Sequence, residues 1–150
     1  MKILDIIVAI NSGFTKITCN DLSASSKYRV LKFKSILNKA FEQIQTLEKS
    51  ILDSCNIQDI QDIDSKIKKL EANKNRTEEE NEEYKTLSNK MDSYLKIRTE
   101  MLQDDLTLND IGTISYEDWY TLRKENRDKD YITNYIEDAL KGVFWVEPDE

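Results

Sequence analysis

Between Val30 and Ile51 the apolar residues Val30, Phe33, Leu37, Ala40, Ile44, Leu47 and Ile51 recur at spacings of 3, 4, 3, 4, 3 and 4. This alternation places one side chain per turn on a single stripe of an α-helix, the heptad seam of a coiled coil. A half-buried strand would instead alternate with period two. The spacing predicts a helix from Ser26 to Cys55, on the order of 45 Å long. Little in the chain would interrupt such an element. Only 3 Gly and 1 Pro occur in 150 residues, too few turn residues for a sandwich or barrel of short strands. Hydrophobic residues at 39% and charged residues at 34% suit long helices with solvated faces. Ile36, Phe41 and Leu52 widen the stripe, so this helix is expected to touch more than one neighbour.

Flanking patterns are helical as well. Ile3, Ile6, Ile7 and Ile10 fit a short amphipathic helix stopped at Asn11, Ser12 and Gly13. Phe14 to Asp21 has no clear period and reads as a loop, and Ser23 to Ser26 offer N-caps for the long helix. Residues 56–72 keep helical spacing through Ile57, Ile60, Ile63, Ile67 and Leu70, either continuing the long helix or forming a separate short one. ANKNR (Ala72 to Arg76) reads as a turn. The glutamate-dense TEEENEEYKTL that follows is a helix start: Thr77 and Glu80 have the spacing of a capping box, and the other acids sit where the helix dipole favours anions. Tyr84, Leu87, Met91, Tyr94, Leu95, Met101 and Leu102 are its apolar stripe.

The expected fold is all-α and a single helical domain over residues 1–150. A long antiparallel, coiled-coil-like helical hairpin (24–104) is preceded by a short N-terminal helix and followed by a small C-terminal helical subdomain (106–150). In that last part Ser115 caps a helix carrying Trp119, Tyr120 and Leu122, broken at Asn126 to Lys129. Tyr131, Ile132, Tyr135, Ile136, Ala139 and Leu140 form a final helix ended by Gly142. The closing VFWVEPDE (143–150) either folds back as a strand or docks on a partner.

The residue inventory points away from catalysis. With no histidine, the commonest general base and transition-metal ligand is missing. No nucleophile elbow or phosphate-binding glycine loop is present, and Asp59, Asp62 and Asp64 lack the glycine of a calcium loop. No catalytic residue, metal or cofactor is expected, and the chain is read as a non-enzyme. Cys19 and Cys55 have neither metal nor redox spacing and read as reduced thiols. MKILDIIVAINSG has Asp5 inside a short apolar run, so neither an export signal nor a membrane span is expected, and a cytoplasmic location is expected. A net charge of −7 disfavours nucleic acid as a partner. Lys27, Arg29, Lys32, Lys34 and Lys39 flank the seam on both sides, as lysines covering apolar surface do.

MKILDIIVAINSGFTKITCNDLSASSKYRVLKFKSILNKAFEQI resembles the start of small helical phage and prophage proteins, uncharacterised themselves. In these a short helix and a brief loop precede a Y-x-[IV]-x-K helix and a long charged coiled coil. LTLNDIGTISYEDWYTL is similar to their acidic ending. The resemblance covers residues 1–50 and 106–122 and rests on apolar and charged patterning. The extra segment Asp130 to Glu150 departs from it. Genes of this kind lie near virion morphogenesis genes, so the resemblance implies virion (head or tail) assembly through helical protein–protein contacts, in the host-cell cytoplasm or on the virion. It carries over no catalytic residues. The alternative is a small inhibitory or anti-defence protein that binds a host protein or a nucleotide signal. For assembly, the partner is a phage structural protein or a second copy, with the dimer as default. The interface candidates are Ile36, Phe41, Leu52, Ile97, Trp119, Tyr120, Phe144 and Trp145, although the aromatic four, Trp119, Tyr120, Phe144 and Trp145, read first as core packing and alternatively as anchors.

Overall fold

The isoleucine period at the N-terminus becomes helix α1 (Ile3–Ser12), whose buried side is Ile3, Ile6 and Ala9. The computed structural model describes residues 1–148. Asp149 and Glu150, the end of the VFWVEPDE tail, lie outside the described residues. After α1 come a 3-10 turn (Phe14–Lys16) and α2 (Ala24–Ser54), α3 (Ile60–Ala72), α4 (Glu78–Gln103), α5 (Tyr116–Glu125) and α6 (Asn134–Leu140). The described residues are all-α, with isolated bridges and no strand. They form two compact units, one made of Met1–Ile44 and the chain from Gln103 onward, the other of Gln45–Leu102.

In the Gln45–Leu102 unit, residues 56–72 do not continue α2. Asn56 adopts a left-handed backbone with φ 56°. Its amide bonds the Asp53 carbonyl at 3.1 Å, and the Ile57 amide bonds the Leu52 carbonyl at 2.9 Å. These two bonds are a Schellman motif, the commonest way to satisfy the last carbonyls of a helix. Ile57 then turns inward and forms a core with Ile63 and Tyr94, around which Ile51, Leu52, Ile67, Leu87 and Met91 pack. Asp59 restarts the helix by accepting the Gln61 and Asp62 amides.

The return turn is built as the sequence implies. The Glu80 amide donates to the Thr77 hydroxyl at 3.1 Å, and the Thr77 amide donates back to the Glu80 carboxylate at 3.3 Å. Arg76 adds a clasp with no sequence signal: it donates to the Leu70 carbonyl and lies 4.5 Å over the Tyr84 ring. Glu48 pairs with Arg98 at 2.9 Å, and Tyr84 donates to Glu71. Partner numbers that rise along α2 and α3 therefore fall along α4, an antiparallel hairpin.

Arg98 sits at the same level as Glu48, which shows why Leu47 leaves the expected seam. The side of α2 turned to α4 in this unit carries Glu48, Ile51, Leu52 and Cys55. Leu47 is rotated about 100° from Glu48 and is 44% exposed. Leu95 departs from the α4 stripe for the same reason, one step round from Tyr94.

The other unit is organised by aromatic rings. Phe33 of α2 stacks on Phe144 at 4.3 Å, and Phe144 meets the edge of Trp119. Trp119 in turn stacks on Trp145 at 5.7 Å. Phe14, in the stretch read as a loop, is buried edge-on against Phe33. The tail folds back, though as isolated bridges of Trp145 with Ile114 and Lys141 and not a strand. Ile114 donates to the Phe144 carbonyl, and Val146 donates to that of Ile114. Gly142, with φ 77°, makes this reversal possible. Gly13, with φ 93°, ends α1 where a Cβ would meet the Tyr131 ring at 2.7 Å.

Candidate interaction surface

The polar groups that looked most like chemistry in the sequence are occupied by structure. Asp59 is a helix cap, and Asp62 and Asp64 form i,i+4 pairs with Lys66 and Lys68. Glu78, Glu79, Glu82 and Glu83 are exposed on the first turns of α4. Among the described residues no group of three or more His, Cys, Asp or Glu could hold a metal ion. Within the basic run of α2, Lys34 donates to the Ile17 carbonyl, and Arg29 donates to the Thr113 carbonyl at 2.7 Å. Both tie down loops. Cys19 and Cys55 are free thiols.

Three of the eight interface candidates require correction. Trp119 and Phe144 are fully buried and Trp145 nearly so. Their rings fill the aromatic core, and both indole N–H groups are satisfied at Glu137: Trp119 on its carboxylate at 3.0 Å, Trp145 on its carbonyl at 2.9 Å. A partner finds no free surface there. Leu52 packs partly buried against the hairpin core, and Ile36 and Phe41 are half-buried on α2. Ile97 at 39% and Tyr120 at 59% remain exposed.

The geometry also places residues that the sequence assigned to buried stripes on the surface. Leu95 is 50% exposed. With Ile60, Met91 and Tyr94 it lines an apolar groove of about 330 Å³ between α3 and α4, edged by Gln61 and Asp64. Ile97 lies on the opposite flank of α4, since two residues turn a helix through about 200°. Its surroundings are polar: Ser54, Asn56, Thr86, Asn89, Lys90 and Ser93. Leu95 and Ile97 thus stand on two flanks of α4, of which the α3–α4 side is the apolar one. A further signal was available in the sequence, because Met91, Tyr94 and Leu95 together make the α4 stripe wider than one partner helix covers.

Among the described residues no helix is long and apolar enough to cross a membrane. Comparison with family models, curated proteins and solved structures finds no match for the chain.

Proposed function

We propose that this protein is a non-enzymatic interaction protein of a phage or mobile element, acting in head or tail assembly through helical protein–protein contacts. The observation that carries the proposal is the α3–α4 groove. Ile60, Met91, Tyr94 and Leu95 offer a concave apolar strip on a hairpin with its own packed core. An amphipathic helix laid along such a strip buries its own apolar face, the usual mode of helix-in-groove recognition. The assembly context comes from the resemblance of residues 1–50 and 106–122 to small phage and prophage proteins.

The test is co-purification. Tagged full-length protein, expressed in cells producing the particle, is expected to bring down a capsid or tail protein, and Leu95→Asp is expected to abolish that capture while leaving the melt unchanged. A protein that captures no particle component, or whose capture is indifferent to Leu95→Asp, overturns the reading.

A further inference from the structure

The chain carries a net charge of −7, yet one of its concave surfaces is cationic. A groove of about 440 Å³ lies along the end of α5 and the turn that follows it, lined by Tyr120, Arg123, Lys124, Arg127 and Lys129, with Asp130 the one acid. Tyr120, Arg123 and Lys124 share a helix face by their i, i+3, i+4 spacing. The turn bonds Lys129 amide to Asn126 carbonyl and Arg127 amide to Lys124 carbonyl fold the next two cations back beside them.

Cations at a helix C-terminus ordinarily offset the dipole. That accounts for Arg123 and Lys124, which lie in the last turn, but not for Arg127 and Lys129, which lie beyond it. Two of the terminal carbonyls are also already answered, Leu122 by the Asn126 amide and side chain and Lys124 by the Arg127 amide. Arg123 is held by Glu137. Lys124, Arg127 and Lys129 have no acidic partner within ion-pair distance among the described residues.

The floor is rigid. Asn126 is buried, and its side chain accepts the Thr18 amide at 2.9 Å and donates to the Thr18 carbonyl at 2.8 Å. At the rim stands the exposed ring of Tyr120, with Ile132 as a second apolar surface. Unpaired cations beside an accessible aromatic ring are the elements of phosphate-plus-base recognition, the cations taking the phosphates and the ring stacking on the base. The volume suits a small ligand.

We propose that this groove binds a nucleoside phosphate, either free or as part of a single strand. The proposal is independent of the α3–α4 groove and runs against what the acidic composition suggests. Binding of ATP and of a fluorescent ten-nucleotide single strand to the full chain is measured by calorimetry and anisotropy at low salt. The combined variant Lys124→Ala, Arg127→Ala, Lys129→Ala is expected to weaken both by on the order of tenfold or more, with weaker salt dependence. Tyr120→Ala is expected to weaken ATP and the strand by on the order of tenfold while leaving inorganic tripolyphosphate unchanged. Whichever of ATP and strand binds more tightly identifies the source. If the combined variant loses its cooperative melt, Arg127→Glu alone, outside the helix, gives the same reading. No binding at millimolar ATP and micromolar strand overturns the proposal. So does equal binding by the variants, or equal binding of polyglutamate, which would mark simple ion exchange.

Discussion

Asn126 shows how much one side chain can hold. Its amide closes both backbone groups of Thr18 and caps the Leu122 carbonyl, all inside the fold. Asn126→Ala should therefore cost about 1–3 kcal/mol, because the Thr18 N–H and C=O are left without partners; a urea midpoint unchanged from the parent protein would refute this. Its neighbour Glu125 has a pH consequence. Burial pushes its carboxyl up, but the Thr18 hydroxyl, the Asp21 and Asn20 amides and Lys27 outweigh it, so the group sits below the usual carboxylate range. A depressed folded value means that the folded protein holds its charge where the unfolded chain takes a proton. The resulting stability is present above about pH 4.5 and is lost as pH falls through the folded value. Glu125→Gln should flatten the acid side of the Tm profile, and parallel profiles would count against this account. Neither role was legible in the sequence, where residues 126–129 read only as a helix break. Their partners, Thr18 and Asp21, lie more than 100 positions away in the chain, and local patterning carries no such information.

At the scale of elements, the features the sequence predicted are those set by neighbours along the chain. Thr77 and Glu80 form the capping box their spacing implies, and Ser115 caps α5 through the Asp118 amide. Thr77→Ala should cost about 1 kcal/mol, whereas Glu79→Gln with Glu82→Gln should cost only a few tenths each from the dipole. Thermal melts of the three variants check the ranking. The Schellman turn at Asn56 was less legible, since Asn is a weaker mark of left-handed backbone than Gly. Asn56→Gly should be neutral or stabilising, and Asn56→Val should destabilise by about 1–2 kcal/mol because a β-branched residue resists positive φ. Equal melts for the two would mean that the α2–α3 break is not set by that backbone. Phe14 marks the limit of periodic reasoning. A single ring in a 3-10 turn has no period, so its burial against Phe33 is decided by the tertiary core alone.

For the whole molecule, helix periodicity made the all-α class legible, but it could not say which wide stripes would be covered. Trp119, Phe144 and Trp145 read from composition either as core or as anchors for a partner, and the chain's own core takes them. Leu47 and Leu95 look like seam, and one step of helix rotation puts them on the surface. Part of the apolar surface left to a partner is therefore the strip on α4 beside α3. A second copy is one occupant of that strip, and sedimentation equilibrium at micromolar concentration measures it. Self-association through the groove predicts a mass above 17.6 kDa that returns to the monomer with Leu95→Asp. The substitution introduces a charge at a half-exposed position, so it should leave the melt within about 0.5 kcal/mol of the parent. By contrast Leu37→Asp, at a fully buried position, should lose several kcal/mol, about 3–5, by placing an unpaired charge in the core. A parent protein that is already monomeric, and whose Leu95→Asp variant behaves identically, would leave the groove to a different protein and remove self-association from its roles.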